Sequence, residues 1–172
     1  MSRQNLSRLH SAYLTSRQLD IWGLMRDGVS QSEIARRLHI SRQAVNQLVQ
    51  TIPLRITEAL NDAAKLNEVK PRIINSAQGI LFGYSREFQT NVLIAVHPET
   101  GLRVWYQHNL GRCKICPNKK ECKSTLMKTI DVLNVSLTSK EKALDPSKLA
   151  SLAFSKVLGL AYHLETANEA NY

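Results

Sequence analysis

Between Ser30 and Leu48 the apolar residues stand at positions that leave the chain little choice of fold. Counting Gln31 as the first residue of the segment, Ile34, Leu38, Ile40, Val45 and Leu48 fall where two short helices meeting at a corner pack together, and every one is apolar. Ala35 takes the place of closest approach, where a larger side chain would hold the helices apart. The start and stop signals agree. Ser30 with Glu33 spells a capping box for the first of the pair, the hydroxyl accepting from the Glu33 amide while the carboxylate reaches back. Ser41 caps the second, and His39-Ile40 between them makes a tight connection. His39 stands where glycine is usual, and histidine visits positive φ more readily than most residues. A preceding helix is capped by Thr15 or Ser16, carries Leu19, Trp22 and Met25 or Arg26 at helical spacing, and ends at Gly28.

On the last of these three helices the residues not spent on packing are Arg42, Gln43, Asn46 and Gln47, whose spacing of three and four places them largely on one face. Their chemistry suits base edges. Arginine bonds guanine bidentately, asparagine and glutamine do the same to adenine, and each good pair contributes ~1–3 kcal/mol of discrimination. Ser41 at the helix start and Arg36 and Arg37 on the helix before it suit phosphates, which position a protein without reading sequence. Double-stranded DNA is the partner these residues imply. The bland alternative is a three-helix protein-binding module with a solvated polar face.

The stretch LTSRQLDIWGLMRDGVSQSEIARRLHISRQAV resembles the tetrahelical helix-turn-helix of sigma factor region 4, LuxR-type regulators and the archaeal Tfx-like regulators, over about residues 14–52. The resemblance implies duplex DNA binding, with the helix after Ser41 in the major groove.

Charge points the same way. The net charge is +9, and it is concentrated. Seven arginines stand against three acids before Pro53, and five lysines against Glu121 between Cys113 and Ile130, with a nearly balanced stretch between. Two basic foci suit a polyanion, because each cation near a phosphate releases condensed counterions. No apolar run approaches the roughly eighteen residues of a membrane span, and MSRQNLSRLH is too polar for a secretory signal. The expected location is the cytoplasm, with no membrane partner.

Beyond the third helix, Pro53 either starts a new helix or kinks a long one. Leu54, Ala59, Leu60, Ala63, Ala64 and Leu66 supply the apolar stripe of a linker helix running to about Asn67. From Arg72 short runs of β-branched and aromatic residues predict three or four antiparallel strands, with His97-Pro98-Glu99-Thr100-Gly101 as a hairpin connection. A helix beginning near Asn118 follows, then a last one capped by Asp145 with Pro146 in its first turn. Leu149, Leu152, Ala153, Val157, Leu160 and Leu164 form one apolar face of that helix, widened by Phe154, Leu158 and Ala161, which suits either this domain's core or a homodimer interface. The expected architecture is α+β: an all-α helix-turn-helix domain over residues 1–52, a linker helix over 53–70, and a sensor or dimerisation domain over 71–172, in which a small antiparallel sheet precedes C-terminal helices.

All three cysteines lie in one lysine-rich loop as Cys113-x2-Cys116-x5-Cys122. A C-x2-C turn brings two thiolates to one centre and five further residues can carry a third around it. Pro117 stiffens the loop, while Arg112, Lys114, Lys119, Lys120 and Lys123 favour thiolate. An odd thiol count in a reducing compartment argues against a disulfide scaffold. The spacing resembles the cysteine triplet of iron-sulfur regulators of the WhiB-like and fumarate-nitrate-reduction types, in which a fourth, distant cysteine completes the cluster; this chain has none. The fourth position is open to His108, to another group or to an exchangeable ligand, and with His108 the set makes a Cys3His zinc site. An iron-sulfur cluster and zinc therefore both stand as expected cofactors, with metal-free redox-sensing thiols next and inert cysteines last as alternatives.

The expectation is a sequence-specific transcription regulator with a metal-binding or iron-sulfur, redox-sensing C-terminal domain. Two alternatives come from other classes. One is an RNA polymerase accessory factor that contacts DNA without choosing sites. The other is a nucleic-acid-processing enzyme with a structural cluster, for which the scattered acids supply no paired carboxylates, so no enzyme activity is expected.

Overall fold

The computed structural model describes residues 13–107 and 111–169, with side chains described as far as Val157. Helices α1 Ser16–Arg26, α2 Gln31–Leu38 and α3 Arg42–Leu66 come first, then strands β1 Val69–Asn75, β2 Ile80–Ser85, β3 Thr90–His97 and β4 Gly101–Tyr106, then helices α4 Lys119–Val132, α5 Ser139–Lys142 and α6 Pro146–Glu169. Mixed helix with a four-stranded antiparallel sheet is the expected α+β class. The chain divides into two compact units, one up to Val104 and one from Trp105 on.

In the first unit, short-range chemistry starts each helix. Thr15 is the residue that caps α1: its Oγ1 accepts from the Gln18 amide at 3.3 Å and Gln18 Oε1 accepts from the Thr15 amide at 2.9 Å, a closed capping box. Gly28 then turns the chain at φ +73°. The long helix is the outcome at Pro53, because α3 runs through it for 25 residues. Proline's missing N–H removes one helix bond, and two neighbouring threonines turn their hydroxyls onto helix carbonyls, Thr51 donating to Gln47 O at 3.0 Å and Thr57 to Pro53 O at 2.9 Å. The expected linker helix is thus the second half of α3, ending at the Asn67 cap.

The apolar stripe of α3 needs correction. Ile52, Ile56, Ala59, Leu60, Ala63 and Ala64 are buried, whereas Leu54 is 70% and Leu66 85% exposed. Leu54 lies about half a turn around the helix from Ile52 and Ile56, and Leu66 stands at the very end of α3, past the buried stretch.

The sheet is a meander in the order β1-β2-β3-β4. Pairing runs from Val69↔Ser85 to Asn75↔Ile80 between β1 and β2, and from Ile80↔Ala95 to Ser85↔Thr90 between β2 and β3. Pro71 cannot donate to the ladder, and the register shifts between it and Ile73. The connection expected at His97–Gly101 joins β3 to β4, with Gly101 at φ +69°. Successive residues Ile80, Leu81 and Phe82 and the run Val92 to Val96 are buried, so the central strands are covered on both faces.

One contact ties α1 to this sheet. Trp22, 1% exposed, donates from Nε1 to Ala77 O at 3.3 Å. Its ring lies against Gly79 in the β1–β2 turn, where an added Cβ would stand 2.6 Å from Cη2 and Cζ2. Gly79 also has φ +70°, so this turn takes glycine on two counts. The N-terminal helices and the sheet therefore share one core.

In the second unit, α4 begins after Asn118 as expected, and Thr138 with Glu141 closes a capping box on α5. Pro146 is the first residue of α6, and the Asp145 carbonyl accepts from the Leu149 amide at 2.9 Å. Leu126, Ile130, Val132 and Leu133 are buried, as are Leu149, Ala150, Ala153, Phe154 and Val157 from α6. Leu152 is half-buried; Leu158, Leu160, Ala161 and Leu164 lie outside the residues whose side chains are described. Among the described residues no helix is long and apolar enough to cross a membrane.

Candidate nucleic-acid interface

The corner between α2 and α3 is built by three consecutive residues. His39 adopts the left-handed conformation at φ 51°, ψ 47°. Its amide bonds Arg36 O at 3.4 Å, and the Ile40 amide reaches back to Ala35 O at 3.1 Å. These two bonds satisfy carbonyls that the end of a helix would otherwise leave free. Ser41 then caps α3, its Oγ accepting from the Ala44 amide at 3.1 Å. Arg17 of α1 steadies the corner by donating from Nη2 to Leu38 O at 2.6 Å.

Packing separates the side chains of this corner into two sets. Ile34, Ala35 and Val45 are buried, and Leu38, Ile40 and Leu48 half-buried. Arg36, Arg37, Ser41, Arg42, Gln43, Asn46 and Gln47 are all exposed. Among the described residues, the side chains of Arg42, Gln43, Asn46 and Gln47 have no hydrogen-bond or ion-pair partner, so their donors and acceptors are available to a ligand.

Glu33 departs from its expected place. Ser30 Oγ accepts from the Glu33 amide at 3.3 Å, which is one half of the capping box. The Glu33 carboxylate turns instead to the arginines: Oε2 accepts from Arg36 Nε at 2.9 Å, and Oε1 accepts from Arg36 Nη2 and from Arg37 Nε, both at 2.7 Å. These bonds from Arg37 and Arg36 hold its carboxyl below the usual carboxylate range. Two cations at i+3 and i+4 outcompete one backbone amide. The signal was present as pairing distances along a helix.

The cysteine loop belongs to the second unit. Cys113 Sγ lies 3.4 Å from Ser147 Oγ, in the wall of a cavity of about 340 Å³ that Asp145 and Lys148 also line. Cys116 is exposed, and Cys122 is half-buried in the first turn of α4. Burial first, and then the charges of Cys113 and Cys116, push the Cys122 thiol up, so the expected preference for thiolate is reversed at this residue. Two of the surrounding lysines are otherwise engaged. Lys119 Nζ pairs with Asp145 at 2.6 Å, and Lys123 Nζ donates to Leu144 O at 2.9 Å. Among the described residues no group of three or more His, Cys, Asp or Glu side chains is placed to hold a metal ion. His108, the expected fourth ligand, lies outside the described residues.

Compared with protein-family models, curated proteins and solved structures, the chain finds no match.

Proposed function

We propose that the chain is a sequence-specific DNA-binding transcription regulator in which α2 and α3 act as a helix-turn-helix. The start of α3 enters the major groove, where Arg42, Gln43, Asn46 and Gln47 meet base edges. Arg36, Arg37 and Ser41 meet the phosphates on either side. One observation carries this reading: the residues with base-reading chemistry are exposed and unpartnered on the helix whose other side, at Val45, is fully buried. A merely solvated face would be expected to carry lysine and glutamate, whereas this one carries one guanidinium and three amides.

Selection of binding sites from a random duplex pool tests the proposal. A regulator returns a defined motif, and Arg42→Ala with Gln43→Ala abolishes it while the fold persists. Weak enrichment without a motif would favour an RNA polymerase accessory factor instead. Pseudo-palindromic motifs would support the homodimer that two-fold operators need.

The loop of Cys113, Cys116 and Cys122 serves a sensing role, with zinc or an iron-sulfur cluster as the group its spacing suits. Metal analysis and absorption spectroscopy of anaerobically purified protein decide the matter: stoichiometric iron or zinc supports a metal centre, and the absence of both refutes it in favour of metal-free redox-sensing thiols.

A further inference from the structure

We infer that Glu33 restrains phosphate contact by holding Arg36 and Arg37 in competition with the DNA backbone, an inference that rests on the DNA-binding reading above. The carboxylate accepts three bonds from the two guanidiniums at 2.7–2.9 Å, lengths of charge-assisted hydrogen bonds. A DNA phosphate presents the same chemistry to the same nitrogens. Arg36 and Arg37 thus reach the duplex with one of their two charges already offset.

The clasp lies where exchange is feasible. Arg36 and Arg37 side chains are 76% and 51% exposed, and Glu33 is 28% exposed. Ion pairs with this much exposure contribute little net stability, so a phosphate can displace the carboxylate without opening the fold. Nor is the carboxylate required to start α2, because Ser30 caps that end and the reciprocal Glu33 bond is not made. Its interactions are with the two cations.

The two arginines are not held alike. Arg36 commits both Nε and Nη2, whereas Arg37 commits only Nε. Arg37 therefore keeps the whole outer end of its guanidinium for a phosphate, and Arg36 is the cation that Glu33 withholds. Because phosphate contacts carry no base information, the restraint scales affinity equally for cognate and unrelated duplexes and leaves the preference between them unchanged.

Glu33→Gln removes the charge and keeps the shape. Fluorescence anisotropy on a selected duplex and a scrambled one, over a range of salt concentrations, should show affinity raised about three- to tenfold on both. The slope of log affinity against log salt should steepen by up to ~0.9 per freed arginine. Arg36→Ala should cost clearly more affinity in the Glu33→Gln background than in the wild-type background. Wild type that binds duplex while Glu33→Gln leaves affinity and slope unchanged, or lowers them, overturns this inference alone. Wild type that binds no duplex at any salt concentration overturns the DNA-binding reading with it.

Discussion

Replacing Gly79 by alanine should destabilise the first unit through a contact that can be relieved separately. At φ +70° a side chain costs about 1–2 kcal/mol. Alanine's smaller entropy loss on folding returns about 0.4–1 kcal/mol. The new Cβ would also stand 2.6 Å from two atoms of the Trp22 ring, which is 1% exposed. Overpacking of that kind costs about 1–3 kcal/mol, for a total near 2–4 kcal/mol. Trp22→Phe deletes both clashing ring atoms. In that background the substitution should retain only the backbone cost and the 3.1 Å approach to Val96 O, about 1 kcal/mol. Urea unfolding followed by circular dichroism measures all four corners of the cycle, and the coupling should be about 1–3 kcal/mol. Equal cost of Gly79→Ala in both backgrounds would refute the seating of Trp22 on this turn, and with it the shared core of the N-terminal helices and the sheet.

Two further outcomes follow from the local geometry. His39→Gly relieves a left-handed residue at the α2–α3 corner and should raise stability by about 0.5–1 kcal/mol after glycine's entropy cost, with DNA affinity unchanged; a loss of stability in denaturant unfolding would show that the imidazole makes a contact of its own. In the second unit, hydrogen bonds from Lys156 Nζ and the Thr138 amide hold Glu141 down at about 2, against its ordinary 4.5. Its contribution is therefore present above about pH 4.5 and is lost as pH falls towards 2. The stability difference between wild type and Glu141→Gln should narrow over that window, with NMR placing the Glu141 titration at its foot; titration near 4.5 would remove the basis for it.

The features legible in the sequence were those decided within a few residues. Thr15, Ser30 and Ser41 cap helices because a hydroxyl meets an amide three positions on, and His39 takes positive φ because the carbonyls of Ala35 and Arg36 need partners there. Pro98 to Gly101 turns a hairpin for equally local reasons. What escaped were choices settled by distant partners. Leu54 looks as good a core residue as Ile56 until the buried side of α3 is known. Nothing near Trp22 announces that its ring seats on Gly79, 57 positions away in the chain. At Glu33 two local rules conflicted, a capping box and a pair of i+3 and i+4 cations, and the cations prevailed. The cysteine loop was legible as a cluster of thiols, but its spacing alone does not fix how the sulfurs converge.

The decisive quantity is the ratio of affinities for a selected duplex and a scrambled one, measured at the same salt concentration for wild type and for Asn46→Ala with Gln47→Ala. If α3 reads bases, each amide that bonds a base edge supplies ~1–3 kcal/mol of discrimination, so the ratio in the double variant falls towards one while binding to the scrambled duplex is unchanged. A double variant that keeps the wild-type ratio would contradict base reading by Asn46 and Gln47.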